Sequence, residues 1–440
     1  MKINIAPYVS VVPRTLPSNA VCSIRIEPKY NFTAFNGCYS VTVFPRFEFP
    51  YSGKRQGAFY EPTIVFAQDG ILKFDYKFEN EQEYIIQVKP EKEKGKNVQV
   101  VETSVYALAD DLYSKKVMKG DLHLHTTFSD GLESPEHRAV QARKTGFDFI
   151  AITDHNGFHG SKYLIEKMKH CPHNMVFLHG EEVHATSCPV HILSLGAASA
   201  IAPLVTNIDD KQRAKLDELM KKYKDVIGEG VDADAFVAAM DVFNKIHEAG
   251  GLSVLCHIYW DAVDGMNHKR MGAPEYLINA LVDNCQFDAF EITSGAPKYD
   301  LKANYLQETY YREKLPKNFP IIGITDSHTT LNDMTIFGGN YTIVFSDNCS
   351  ETAIIDAIRQ SYSVSVDGVS DNVICHGSLR LIKYATFLVE NYFPQHDQVV
   401  NLEGQLMQRI LDGNHSYINI LEKAITDNKQ IIKKEWKIYE

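Results

Sequence analysis

Residues 117–155 read VMKGDLHLHTTFSDGLESPEHRAVQARKTGFDFIAITDH. The segment opens with an alternation in which His123 and His125 share one strand face and Leu122 and Leu124 the other. Asp130 follows five residues after His125, beside Gly131, which suits a sharp turn. A helix is predicted next, with Ser134 as N-cap, Pro135 at the first helical position and Gly146 just past the end. The nearly continuous apolar run FDFIAIT (147–153) then has the pattern of a parallel strand covered on both faces. Strand, helix and strand, with metal-capable side chains at the strand ends, is the unit that decides the fold. Two imidazoles on one strand face describe a polar strand end as well as a metal site, so the choice rests on the rest of the chain.

Working outward, further apolar runs follow at NMVFLHGEEV (174–183), VHILSLG (190–196), GLSVLCH (251–257), FDAFEIT (287–293) and FPIIGIT (319–325). Helical patterns over roughly 209–225 and 234–249 separate VHILSLG from GLSVLCH. Strand–helix repetition over this length predicts a (β/α) barrel or a large open sheet. Residues 1–112 differ. Short, β-branched and aromatic segments such as CSIRIEP (22–28), YSVTVFPRF (39–47) and ILKFDYKF (71–78) predict an antiparallel β-domain of sandwich type. Asp69-Gly70 is the pair expected at a tight hairpin turn, and KPEKEKGKN (89–97) reads as a solvated loop. Beyond 350 the patterns turn helical. The expected organisation is therefore 1–112, a β-rich domain; 113–350, a (β/α) barrel carrying the metal-capable residues; and 351–440, C-terminal helices.

Composition narrows the function classes. Hydrophobic residues make up 44% of the 440 and charged residues 23%, as in soluble globular proteins. A net charge of −11 argues against a general nucleic-acid surface, while a phosphorylated small molecule stays compatible because bound cations reverse the field locally. The N-terminal residues lack the apolar core of a signal peptide and no run has the length of a membrane span. The eight cysteines are scattered without a C-x-x-C pair, which reads as reduced thiols. A cytoplasmic protein without membrane contact is expected. A homo-oligomer is compatible with the sequence.

The metal-capable residues gather at the ends of the predicted strands. Asp154, His155 and Asn156 follow FDFIAIT; Glu181, Glu182 and His184 close the next run; His191 lies in VHILSLG; His257 ends GLSVLCH; and Asp326, Ser327 and His328 follow FPIIGIT. In a parallel barrel these ends share one rim. Imidazole nitrogen with carboxylate oxygen suits zinc, iron or manganese. Such a set is too large for one ion, and a carboxylate such as Glu182 can bridge two, so two or three divalent metals are implied. Adjacent cations generate hydroxide near neutral pH and clamp the oxygens of an in-line displacement, which points to hydrolysis, most naturally of a phosphate ester.

DLHLHTTFSDG, ITDHN, GEE, HIL and ITDSH, in this order, resemble the successive motifs of the PHP (polymerase and histidinol phosphatase) family over about 117–345. The N-terminal β-domain and the trailing GSLRLIKYATFLVENYFP are similar, more loosely, to its carbaryl-hydrolase-type branch. No polymerase domain is present, so that attached role does not carry over. The resemblance implies a distorted (β/α)7, TIM-like barrel with a two- or three-metal site. It makes His123, His125, Glu182 and Asp326 ligands of one metal. His191 and His257 would hold a second, to which Glu182 bridges, and Asp130, His155 and His328 a third. Asp130 stands where some members have histidine, which leaves the metal at that position open.

The expected activity is that of a metal-dependent phosphoesterase acting on a small organic phosphate through a metal-bridging hydroxide. Asp326, His155 and His328 would be catalytic, the two histidines by helping the leaving oxygen depart. His184, Tyr259, Trp260 and Arg270 are candidates for substrate contact. Asp154 reads as a supporting or turn residue, and His159 and His179 as surface or loop residues. Hydrolysis of an amide, carbamate or carboxylic ester on the same centre is the first alternative. A non-catalytic, metal-stabilised binding or assembly protein is the second.

Overall fold

The computed structural model describes residues 2–30, 35–47, 60–92, 98–260, 262–263, 270–294, 301–331, 336–369 and 373–436. It divides into two compact units. One comprises Met1–Lys116 with Thr386–Tyr392 and Thr426–Glu440, the other Val117–Ala385 with Phe393–Ile425. The expected C-terminal segment, 351–440, is thus shared between them.

The first unit is β-rich. Its strands are β1 (Lys2–Asn4), β2 (Val9–Val12), β3 (Thr15–Pro17), β4 (Ala20–Pro28), β5 (Cys38–Pro45), β6 (Thr63–Phe66), β7 (Leu72–Phe78), β8 (Gln82–Pro90) and β9 (Val98–Leu108), with the short α1 (Asp110–Tyr113) after them. One sheet runs β1-β9-β8-β5-β6 with β3 also on β9, and the other runs β2-β4-β7. Alternation does the work: β7 buries Leu72, Phe74 and Phe78, which join Ile24 and Ile26 of β4 and Val41, Ile86 and Val105 of the larger sheet in one core. Trp436, near the end of the last helix, is buried in this unit against Tyr392 and Phe387.

Two expectations need correction. The unit is not wholly antiparallel, because β1 and β3 both pair with β9 in parallel. Asp69 (φ 50°) and Gly70 (φ 77°) do form a tight turn, closed by Gln68 and Ile71, but it passes the chain from one sheet to the other. Local turn chemistry sets the reversal; it does not decide which strand each arm finds.

The second unit is mixed α/β. It holds β10 (Lys116–Leu124), α2 (Pro135–Thr145), β11 (Phe149–Ile152), α3 (His159–Met168), β12 (Val176–Leu178), β13 (Gly180–His184) and β14 (His191–Leu195). Then come α4 (Ala202–Thr206), α5 (Asp210–Tyr223), α6 (Ala233–Glu248), β15 (Leu252–Leu255), the short β16 (Ala262–Val263) and β17 (Arg270–Met271), α7 (Glu275–Asn284), β18 (Ala289–Thr293), α8 (Leu301–Lys314) and β19 (Ile321–Gly323). The chain continues through β20 (Asn340–Ser346), α9 (Glu351–Arg359), β21 (Ser363–Asp367), β22 (Ile374–His376), α10 (Leu379–Asn391), α11 (Phe393–Leu411) and α12 (Ile418–Glu435).

The start of α2 follows its sequence signals. The Ser134 side chain accepts from His137 N, Pro135 opens the helix, and Gly146 closes it at φ 97°, a conformation that disfavours any side chain. The two predicted helices before GLSVLCH appear as α5 and α6. Asp209 and Asp232, each accepting a backbone N–H three residues on, cap them.

Apart from the β16–β17 pair, the strands form two sheets, β12-β11-β10-β20-β21-β22 and β13-β14-β15-β18-β19. Among the described residues no ladder closes them into a barrel. The isolated parallel bridge His155↔Glu182 reaches β13 at one edge of the five-stranded sheet and Leu124↔Ser327 the segment after β19 at its other edge, while the Thr293 and Ser365 hydroxyls meet at 2.8 Å between β18 and β21. Leu122, Phe149, Leu193, Leu252, Ala289, Ile322 and Val344 of both sheets share one core with Ile354 and Ile358 of α9. On the outer side of the five-stranded sheet, Val183, Ile192 and Phe290 pack with Phe236, Phe243 and Ile246 of α6.

The all-parallel expectation fails in detail. The run 174–183 is broken at His179 into β12 and β13, which lie in different sheets, and β13–β14 and β14–β15 are antiparallel. The region after 350 also contributes β21 and β22, antiparallel to β20 and to each other. No described helix is long and apolar enough to cross a membrane.

Candidate metal centre

Strand alternation brings His123 and His125 inward, both fully buried. Their Nε2 atoms meet two carboxylates that arrive from the opposite sheet side. Glu182 Oε2 lies 3.4 Å from His123 and 3.3 Å from His125, and Asp326 Oδ1 lies 3.3 Å and 3.1 Å from the same atoms. The other oxygen of Glu182 serves a second group: Oε1 is 2.8 Å from His191 Nδ1 and 2.9 Å from His257 Nε2. A third group lies outward, where Asp130 Oδ2 is 3.3 Å from His155 Nε2 and Asp130 Oδ1 is 3.4 Å from His328 Nε2. His155 Nδ1 returns to Glu182 Oε2 at 2.9 Å. Glu182 is thus the hub. His191 reaches it from the start of β14 rather than from a strand's C-terminal end, because the antiparallel β13–β14 ladder pairs His184 with His191.

The backbone around these groups is held by buried polar contacts. Asp154 accepts from Thr126 N, Thr126 Oγ1 and Ser129 Oγ, each at 2.7 Å, and so pins the turn that carries Asp130. Gly131 is needed in that turn, since a Cβ there would sit 2.5 Å from the His125 carbonyl. Asp121 accepts from His123 N at 3.1 Å and from Thr325 N at 3.2 Å, joining β10 to the segment of Asp326. Fully buried Arg138 donates to the Ser327 carbonyl and hydroxyl. Asp326 (φ 49°) and His257 (φ 28°) occupy left-handed conformations that side chains rarely adopt, as expected where function fixes the backbone.

Charge compensation is internal. Burial pulls the His123 imidazole down, but the Asp326 and Glu182 carboxylates outweigh it and hold it well above its usual value. Burial opposes the charge of Glu182 and Asp326 as well, yet the surrounding histidines keep both well below the ordinary carboxylate range. His155 is raised to about 10, the carboxylates of Asp130 and Glu182 overcoming burial. Desolvation instead takes His191 down to about 4, leaving it a neutral donor at pH 7. Asp121, fully buried, is pushed up to about 7 by desolvation against its hydrogen bonds from Thr325 and His123.

Several buried atoms have no hydrogen-bond partner: His123 Nε2, His125 Nε2, His155 Nδ1, His184 Nε2, Glu182 Oε2 and Asp326 Oδ1. They lie within contact of one another, yet not in hydrogen-bond geometry, so their lone pairs converge on shared points rather than on each other. Leaving buried polar atoms so costs roughly 1–3 kcal/mol apiece. Divalent cations would satisfy them, and the donor set of imidazole and carboxylate fits zinc, iron or manganese. Sets of donor atoms lying within 4.8 Å of one another are His123/His125/Glu182/Asp326, Glu182/His191/His257, His125/Asp130/His155/His328, His155/Glu182/His184 and His123/Cys256/His257.

The other expected residues divide. His184 stacks on His191 with ring centroids 3.7 Å apart, and Trp260 lies 5.8 Å from His191, walling a small cleft with Val190 and Ile258. Tyr259 turns away, its ring against Tyr310 and its hydroxyl facing Glu275. Arg270 lies in β17 with its side chain outside the described residues. His179 is a loop residue bound through N and Nδ1 to Glu351. Sequence reasoning passed over Glu291, Arg138 and Cys256. The signal for Glu291 was an acid flanked by Phe290 and Ile292 in the middle of the predicted strand FDAFEIT, a position where a charge needs a partner.

With this geometry in place, comparison with known proteins is informative. Residues 121–228 match the PHP domain. The PHP match contains His123, His125, Asp130, His155, Glu182, His184 and His191, while His257, Asp326 and His328 lie beyond it. The chain is 39% identical over 57 residues to the DNA polymerase/3′-5′ exonuclease PolX of Bacillus subtilis, covering 13% of this chain and 10% of that protein's length. Among solved structures it is similar to a two-domain protein from Bacteroides vulgatus containing a predicted PHP-like metal-dependent phosphoesterase. That likeness has 20% identity and a TM-score of 0.39 over 57% of this chain and 65% of that one. It is similar also to a chain from Bifidobacterium adolescentis provisionally named a metal-dependent phosphoesterase, with 21% identity and a TM-score of 0.31 over 47% and 87%.

Proposed function

We propose that this protein is a metal-dependent phosphoesterase that cleaves a small organic phosphate ester, on a PHP-type distorted barrel of which the two sheets are the halves. The observation that carries this reading is the position of Glu182, whose two oxygens face two histidine groups only one carboxylate apart. His123, His125, Glu182 and Asp326 would hold one divalent ion, His191 and His257 with Glu182 a second, and Asp130, His155 and His328 a third. Ions so placed supply Lewis acidity and a hydroxide nucleophile near neutral pH.

The protein's own groups do the rest. Glu182 fixes the spacing of the first two groups. The partly open third group faces solvent, with Asp130 55% and His328 37% exposed, so the ester's leaving oxygen lies on that side. There His155 or His328 supplies the departing oxygen with a proton wherever the third group carries no ion. Trp260 borders the cleft on whose side the organic part would sit, and His184 packs on His191 beside it. The distorted metal-binding cradle excludes bulk water through Leu122, Leu124 and Ile324 beneath it, all fully buried.

The deciding experiment measures phosphate release from phosphomonoesters and diesters after loading with manganese, iron or zinc, beside turnover of aryl esters, amides and carbamates. Phosphate release with at least one loaded form is the expected result. Turnover of carboxylic esters or carbamates without phosphate release under any metal would overturn it. Failure to retain metal after reconstitution would overturn every catalytic version.

A further inference from the structure

We propose that Glu291 is a positioning residue that locks the tautomer of His123 and ties the first ligand group to the second. The inference rests on the metal centre described above and not on which bond that centre breaks. Glu291 stands in β18, fully buried, and both of its oxygens are engaged by the centre. Oε2 lies 3.5 Å from His123 Nδ1, at the outer edge of hydrogen-bond range, and Oε1 accepts from His257 N at 3.1 Å. His123 turns its other nitrogen, Nε2, towards Glu182 and Asp326. His257 turns its own Nε2 towards Glu182 while its backbone sits at φ 28°.

The chemistry follows from counting donors. With a cation at Nε2 the His123 imidazole would be neutral, and a neutral imidazole has one N–H and one lone pair. A carboxylate only accepts, so opposite Glu291 the proton of His123 belongs on Nδ1 and the lone pair on Nε2, where a cation would sit. The same carboxylate meets the His257 amide, which is always a donor. An amide side chain cannot replace it. Glutamine offers one accepting oxygen for two donors: satisfying His257 N turns its NH2 towards His123 Nδ1, which then has to accept. The proton moves to Nε2 and the metal-facing lone pair is lost. Glu291 is isosteric with glutamine, so the substitution changes the proton pattern and little of the volume.

Cobalt(II) is the probe. The full chain and Glu291→Gln are titrated with cobalt(II) alone, following its visible absorption, beside far-ultraviolet circular dichroism of the metal-free proteins. Glu291→Gln is expected to bind cobalt(II) about 10- to 100-fold more weakly, with an altered band shape and an unchanged metal-free spectrum. Cobalt binding by Glu291→Gln at the wild-type affinity and band shape would overturn the proposal. Should Glu291→Gln not fold, nitrogen-15 spectra of zinc-loaded wild type decide the matter, with His123 identified by its loss in His123→Asn. A protonated Nδ1 supports the proposal, and a protonated Nε2 overturns it. Wild type that binds no cobalt would overturn the metal centre itself, whereas absence of phosphate release would touch only the proposed reaction.

Discussion

The imidazoles of His125 and His328 stack with centroids 4.1 Å apart and planes 11° from parallel. One ring belongs to the innermost group and the other to the outermost, so the two are packed as a unit although they face different carboxylates. His125 Nε2 faces Glu182 and Asp326; His328 Nε2 faces Asp130, and its Nδ1 is held 2.9 Å from the Asp326 carbonyl.

Removing each ring should therefore have unequal effects. On the proposed assignment of three metal groups, His328→Ala is expected to lose metal from the outer group alone. His125→Ala disturbs both groups, because its Nδ1 also lies 3.6 Å from Asp130. Elemental analysis after exhaustive dialysis checks this. Equal metal loss in the two variants would count against the assignment.

Glu182→Gln should be the most damaging single change in the centre. It halves the accepting capacity of the residue to which His123, His125, His155, His191 and His257 all turn. The fall in turnover should exceed the roughly 10- to 100-fold typical of a supporting residue. Steady-state rates at saturating metal, with a circular dichroism spectrum to show an intact fold, provide the measurement.

His184→Ala separates substrate contact from ligation. The ring packs on His191, its Nε2 is 3.7 Å from Glu182 Oε1, and its backbone N–H donates to Asn156 Oδ1. As a substrate contact it should raise KM by about tenfold, close to 1.4 kcal/mol, with metal content unchanged. A loss of bound metal in this variant would make it a ligand instead.

Acid stability should depend on Asp148, which belongs to none of the candidate metal groups. Burial raises its carboxyl, but the charge of His396 and the guanidinium of Arg143 win, holding it at about 2 against an ordinary 3.8. A depressed folded value means that the stabilisation is present above pH 3.8 and lost as pH falls through about 2. At just under two units the contribution is roughly 2 kcal/mol. Asp148→Asn should lose at least that much at pH 7, with the gap to wild type closing between pH 4 and pH 2. Urea unfolding across that range would show it, and a pH-independent gap would refute it.

Much of the cluster of metal-capable residues was legible because its chemistry is local. Histidine at alternate strand positions, and acids directly after apolar runs, mark a strand end whatever that strand pairs with. The Ser134 cap and the Gly146 stop were legible for the same reason. Pairing direction is a tertiary property and was not. Nothing in VHILSLG says that β14 runs against β13, and the half-polar Ser363–Asp367 does not announce a strand of the main sheet. Side-chain direction past a strand end escaped too: Tyr259 and Trp260 are neighbours, and only Trp260 faces the ligands.

The β13–β14 ladder, pairing residues from Gly180↔Leu195 to His184↔His191, has a consequence for insertion tolerance. One residue added within either strand would turn Glu182 or His191 to the opposite face and separate the shared carboxylate from its histidine. Thr186 and Ser187, exposed in the connection between the strands, lie outside that register. A reporter peptide or affinity tag placed there would lengthen a surface turn a few residues from the ligands and leave their spacing intact.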